Sequence, residues 1–203
     1  MARLRGIRLL AWWTILGASF PSHATATATD DLAAARAELA RMQVRYGDRH
    51  PKLMEQQVRV DELEDLALTS PGEPAELRSA RVELAVCLSR YAENHPKLRA
   101  QFARVQAIEE QVKLSPDTPG ELLVAQGDLA AINVRYGEKN PRTVAAQIHL
   151  AALNKHLFAA GPGSQALRSA RAEREELLAR YGPEHPKVVE AGKKIAALEA
   201  AAK

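Results

Sequence analysis

Four stretches decide the fold: RYGDRHPK at 45–52, RYAENHPK at 90–97, RYGEKNPR at 135–142 and RYGPEHPK at 180–187. Tyr46, Tyr91, Tyr136 and Tyr181 stand 45 residues apart, and so do Pro51, Pro96, Pro141 and Pro186. Self-similarity at a fixed period marks a repeat architecture, in which no unit can bury its apolar face alone. The units run 32–76, 77–121, 122–166 and 167–203, the last being shorter.

Within each unit, apolar or small residues recur at steps of three and four on both sides of the shared motif. In the first unit they are Leu32, Ala35, Leu39, Met42 and Tyr46, then Leu53, Gln56, Val60, Leu63 and Ala67. The second repeats them as Leu77, Ala80, Leu84, Cys87 and Tyr91, then Leu98, Gln101, Val105, Ile108 and Val112. Such a stripe keeps one helix face against a partner, so both segments are expected to be helices. A composition of 46% apolar, 26% charged and only 4% aromatic residues also favours packed helices over sheets.

The motif itself supplies the turn. Gly47, Gly137 and Gly182 stand where helices end on a residue of positive φ, and the following Pro suits the first turn of the next helix. Ala92 takes the Gly place in the second unit, where positive φ would cost about 1 kcal/mol. His50, His95, Asn140 and His185 directly precede Pro, which keeps them out of helical backbone and at the N-cap. A turn this tight makes the two helices antiparallel. Between units, TSPGEPAE, SPDTPGE and AAGPGSQA break the helix, and Ser70 with Glu73 and Thr118 with Glu121 match capping boxes. The expected fold class is all-α: four tandem antiparallel helical hairpins, stacked as a solenoid like that of tetratricopeptide repeats or as a coiled-coil bundle. Phe102, Val144 and Ile148 are expected to form the stacking face, and Gly192 and Lys193 its polar capping counterpart in the fourth unit.

Ahead of the repeats, Arg3, Arg5 and Arg8 precede an apolar run from Leu9 to Phe20 and a small-residue stretch ending at Ala26. This layout predicts a signal peptide over 1–26, cleaved after Ala24 or Ala26, then a short linker over 27–31. The apolar run is well short of the roughly 20 residues that span a bilayer. The formal charge of +3 comes from 28 Lys and Arg against 25 Asp and Glu, and cleavage removes three Arg and no acid. A mature chain of zero net charge carries no bulk signal for nucleic acid. A periplasmic or secreted protein without a transmembrane anchor is expected.

No catalytic or cofactor signature is present: there is no nucleophile elbow, phosphate-binding glycine loop or metal-ligand pair. His50, His95 and His185 are read as caps, because equivalent residues of stacked hairpins stand about 10 Å apart, too far to share an ion. Cys87 occupies a seam place held elsewhere by Met42, Ile132 and Leu177, so it is read as a small buried hydrophobe, or as a link between two chains. The candidate ligand-binding residues lie at the hairpin tips: Arg45, Tyr46 and Lys52; Arg90, Tyr91 and Lys97; Arg135, Tyr136 and Arg142; Arg180, Tyr181 and Lys187. In stacked hairpins they form a row of cations and aromatic faces that could hold an anionic glycan or an acidic protein segment.

The words LARYGPEHPKVVEAGKKIAALEA, Leu178 to Ala200, resemble the periplasmic coiled-coil repeats of polysaccharide chain-length determinants and exopolysaccharide tyrosine kinases. That resemblance implies an accessory role in polysaccharide assembly or export through coiled-coil contacts. NPRTVAAQIHLAALNKHLFAAG, Asn140 to Gly161, is similar to tetratricopeptide repeats of the kinesin-light-chain kind, which implies a peptide-binding groove. The functional expectation is a non-enzymatic scaffold or adaptor of the cell envelope, with a protein partner or self-association.

Overall fold

The computed structural model describes residues 23–46, 50–159 and 165–201. Eight helices follow one another: α1 (His23–Arg45), α2 (Pro51–Thr69), α3 (Ala75–Arg90), α4 (Pro96–Leu114), α5 (Gly120–Tyr136), α6 (Pro141–Ala159), α7 (Gln165–Tyr181) and α8 (Pro186–Ala201). No strand occurs among the described residues. The chain is therefore all-α, with two helices to each 45-residue unit. Residues 1–22 of the expected signal segment lie outside the described residues. α1 begins at His23 and runs through 27–31, so the expected linker is helical, as a stretch with neither Gly nor Pro allows.

Each helix packs on the one before and the one after it, and α1 and α5 also touch α3. A closed bundle would bring the first hairpin against the last, whereas these contacts stay between neighbours, as in a solenoid. Inside a hairpin, part of each predicted seam is buried, while Leu32, Ala35, Leu39 and Met42 of α1 are only half-buried. Leu77, Ala80, Val105 and Ile108 form one core cluster with Leu123 of the next hairpin, and Ala125, Ala152, Leu153 and Ala172 form another.

The expected stacking face is corrected. Phe102 and Val144 remain 48% and 42% exposed, and Val144 and half-buried Ile148 edge the joint of α6 with α7, lining a cleft with Glu176, Ala179 and Arg180, rather than filling it. Stacking is carried instead by α4 against α5 at Ile108 and Gly127, and by α6 against α7 at Ala152 and Ala172. The reason is that a second helix of each unit carries apolar residues on two sides, and period alone does not say which neighbour covers which. In the fourth unit Gly192 is half-buried, with Arg174 Nε 3.9 Å from where a Cβ would stand, and Lys193 is exposed.

The turns of the motif close as expected, with one change. The Nδ1 atoms of His50, His95 and His185 accept from the backbone N–H of Lys52, Lys97 and Lys187 at 3.2–3.3 Å, and Asn140 Oδ1 accepts from Arg142 N–H at 2.9 Å. Gly137 takes φ 81° and ψ 163°, a region open essentially to Gly alone, and Gly182 takes φ 80°. Gly47 lies outside the described residues. Ala92 escapes the expected strain, since no described residue other than Gly has positive φ. α3 ends at Arg90, one residue earlier than α5 and α7, and Tyr91 takes an extended C-cap at φ −121°.

The capping boxes do not form. Pro74 and Pro119 occupy the N-caps of α3 and α5 and offer no side-chain acceptor, while the Thr118 hydroxyl turns back to donate to Ser115 O at 2.7 Å. Pro fits this place because its missing N–H is one the helix start would leave unpaired.

Candidate functional site

The motif turns of all four hairpins fall along one edge of the solenoid, because the helices alternate in direction. At each tip the predicted residues come together within their own turn. His50, His95 and His185 stack on Tyr46, Tyr91 and Tyr181 with ring centres 4.1–4.3 Å apart and planes within 12–17°. Lys97 and Lys187 lie 5.5 and 5.7 Å from the centres of the Tyr91 and Tyr181 rings, and Arg45 and Arg135 lie 5.6 and 6.0 Å from those of Tyr46 and Tyr136. Lacking a His, the third tip seats Arg142 4.9 Å from the Tyr136 ring and donates from its Nη1 to Tyr136 Oη at 2.7 Å. Lys52 is exposed.

Two of the tip arginines are engaged elsewhere. Arg90 pairs with Glu55 of the preceding hairpin, and Arg180 meets Glu176 one turn back at 3.6 Å. The row of cations is therefore largely turned onto its own tyrosines and carboxylates. Each cation–ring contact is worth on the order of 0.5–1 kcal/mol at an exposed site.

A second feature lies on the face between the tips and the opposite edge. A cleft of about 610 Å³ opens among α5, α6 and α7, edged by Glu121, Asp128, Arg142, His149 and Arg180 and floored by Val124. The same face continues one unit away in both directions, with clefts of about 360 Å³ beside Cys87 and Arg104 and about 430 Å³ beside Glu173 and Lys194.

A charge ladder runs along it. Arg59, Arg104, His149 and Lys194 share one register of the repeat, and Glu38, Glu83, Asp128 and Glu173 share another. Arg104 faces Glu83 at 3.8 Å and Asp128 of the next hairpin at 3.3 Å; Lys194 faces Glu173 at 3.2 Å; His149 Nδ1 lies 3.4 Å from Glu176. Sequence reading missed this ladder by treating the charges as a solvated face, although aligning the four units shows a basic residue at one place in each.

Ionisation follows these surroundings. Burial, with Glu83 adding to it, pushes the half-buried Cys87 thiol up. The Glu175 carboxyl is held below its usual range, first by the hydrogen bond from Lys155 Nζ at 2.9 Å and also by His156 at 3.1 Å, with burial opposing. Burial pushes the Glu73 carboxyl up despite Arg81 at 3.0 Å. Among the described residues, no three His, Cys, Asp or Glu gather as a metal site would require, and no helix is long and apolar enough to cross a membrane.

Comparison of the chain with protein-family models, curated proteins and solved structures finds no match.

Proposed function

We propose that the chain is an exported, non-enzymatic helical-repeat protein, periplasmic or secreted, that serves as a protein-interaction scaffold or adaptor in the cell envelope. The observation that carries this reading is the groove that passes from hairpin to hairpin with cations and carboxylates at fixed registers. Such a surface suits an extended or helical segment of a partner that carries both signs of charge. Its ionisable groups pair base with acid rather than nucleophile with base, which supports binding over catalysis. The test is a photo-crosslinking residue placed at Val124 in the groove or at Met54, in the separate cleft of about 460 Å³ that it lines with Ser89 and Arg90, in intact cells. A defined protein adduct at Val124, absent at Met54 and lost when Asp128 and Glu176 are changed to Lys, is expected. Equal adducts at both sites, or none at Val124, would refute the reading.

The second reading is an accessory role in polysaccharide assembly or export, with an anionic glycan held along the tips. Tyr136 and Tyr181, 41% and 43% exposed beside Arg142 and Lys187, favour it. Changing Lys52, Lys97, Arg142 and Lys187 to Gln should then abolish retention on an immobilised acidic polysaccharide. Cell fractionation with sequencing of the mature N-terminus tests export under either reading.

A further inference from the structure

The three joints between hairpins share one register, and α1 and α8, the outermost described helices, carry the two halves of a fourth. In the joint of α4 with α5, Arg104 meets Asp128, and Ile108 packs over Gly127. In that of α6 with α7, Ala152 clusters with Ala172, and Lys155 and His156 reach Glu175. In that of α2 with α3, Glu55 pairs with Arg90.

Shifted by whole units, the second-helix partners become Glu190, Lys194, Ala197, Leu198 and Ala201 on α8. The first-helix partners become Ala37, Glu38, Ala40 and Arg45 on α1. Apart from half-buried Leu198 and Glu38, all of these are exposed. We propose that α8 of one copy docks on α1 of a second copy in the register of the internal joints, so that chains join end to end through a surface the solenoid already uses three times.

The charges agree with this occupant. Glu190 falls opposite Arg45, repeating the Glu55–Arg90 pair, and Lys194 falls opposite Glu38, repeating Arg104–Asp128. Ala197 and Leu198 fall opposite Ala37, as Ala152 and Leu153 do beside Ala172. In place of His149–Glu176 the junction sets Lys194 opposite Arg41, a like-charge contact that Glu38, 3.5 Å from Arg41, offsets. The first helices are also braced to each other inside the chain, by Arg78 with Asp31 at 3.3 Å and Arg168 with Glu121 at 2.7 Å. At the new junction those two places are Ala33 and Ala166, so neither a lone acid nor a lone base is left there. The contact is heterologous and does not close on itself, so it yields chains of copies rather than only pairs.

Sedimentation of the chain as purified from cells, over a wide concentration range, tests this independently of what occupies the groove. The wild-type mass is expected to rise with concentration above that of one chain. Ala37→Arg and Ala197→Arg, each placing an unpaired cation in one half of the junction, should stay at the mass of one chain with unchanged thermal melts. Mixed in equal amounts they should give two chains and no more, because each variant keeps the half that the other has lost. Lys194→Glu should weaken association at least tenfold, and Lys194→Glu with Glu38→Lys should restore it. A wild-type mass that stays at one chain at every concentration, growth that survives both arginine variants, or a mixture that stays at one chain would overturn the proposal.

Discussion

Valine in place of Gly127 tests how closely the second and third hairpins are stacked. A Cβ added there would lie 2.8 Å from Arg104 Cγ, 2.9 Å from Ile108 Cδ1 and 3.0 Å from Ile108 Cγ1. Carbon atoms prefer about 3.5–4.0 Å, so something must retreat by roughly 0.7 Å. Ile108 is fully buried among Leu77, Ala80, Val105 and Leu123, and the Arg104 stem is held between Glu83 and Asp128. Ile108 has no free space, and the Arg104 stem can give only toward the cleft beside it at the expense of its two ion pairs, so α4 and α5 are pushed apart. Overpacking of this kind costs about 1–3 kcal/mol, and valine's added branches place it at the upper end. The gain in helix propensity over Gly is only a few tenths of a kcal/mol, against about 1 kcal/mol for alanine. A net loss of about 2–3 kcal/mol is expected for Gly127→Val, and about 0–2 kcal/mol for Gly127→Ala. That loss corresponds to a Tm lowered by roughly 5–10 °C in a chain of this size. Because stability in a repeat array is a sum over neighbours, the damage falls on one joint. Thermal unfolding should broaden or split, and amide exchange should rise in α4 and α5 before it rises in α1 or α8. Trimming the partner, in Gly127→Val with Ile108→Ala, should lose less than the two single changes added together. An unchanged or higher Tm for Gly127→Val would refute the close approach.

Three further outcomes are expected. His95→Ala should lower stability by about 1–2 kcal/mol through loss of the cap and of the stack on Tyr91, while His95→Asn should lose only the stack, as thermal melts would show. With its carboxyl held low in the folded chain, Glu175 binds fewer protons there than when unfolded; its contribution is present above the unfolded pKa and lost as pH falls through the folded value, so Glu175→Gln should flatten the acid side of a stability-against-pH curve. Cys87, with its thiol pushed up by burial, should react with iodoacetamide several-fold more slowly in the folded chain than in urea, read by mass spectrometry.

Much of this fold is legible because the chain states its rule four times. The Tyr-to-Pro turn announces itself through residues with backbone demands, and Pro96 and Gly137 act where those demands place them. Other features depend on who the neighbour is. Phe102, Val144 and Ile148 read as an interior stripe, yet Phe102 stays about half exposed and Val144 and Ile148 only edge the cleft between α6 and α7. The capping boxes fail for a local reason, since Pro74 and Pro119 claim the N-cap before Ser70 or Thr118 can. At the tips, the cations and tyrosines are adjacent in sequence and come together in space. The groove ladder joins residues of different hairpins, such as Arg104 and Asp128, and only a register between helices reveals it.

The third unit departs from the other three in compensated pairs, which separates structural places from those free to specialise. Arg36–Glu64, Arg81–Glu109 and Arg171–Glu199 tie the two helices of their hairpins at 2.7–2.8 Å, and in the third hairpin both partners change together, to Gln126 and Asn154. Where the His of the tip becomes Asn140, the cap bond is kept and Arg142 takes over the tyrosine. Where the buried Leu53 and Leu98 become Thr143, the new hydroxyl donates to Gly137 O at 2.7 Å. Both exchanges at the tip preserve or add an interaction while altering the residues, so what is held constant there is the packing of the tyrosine. The groove changes in one unit: Arg104 and Lys194 face Glu83 and Glu173 at one register, whereas His149 turns to Glu176 instead. A surface that differs from unit to unit can read a sequence of partner residues, whereas four near-identical tips can read only a repetitive polymer. On the scaffold reading proposed above, that contrast favours the groove over the tips as the surface that discriminates.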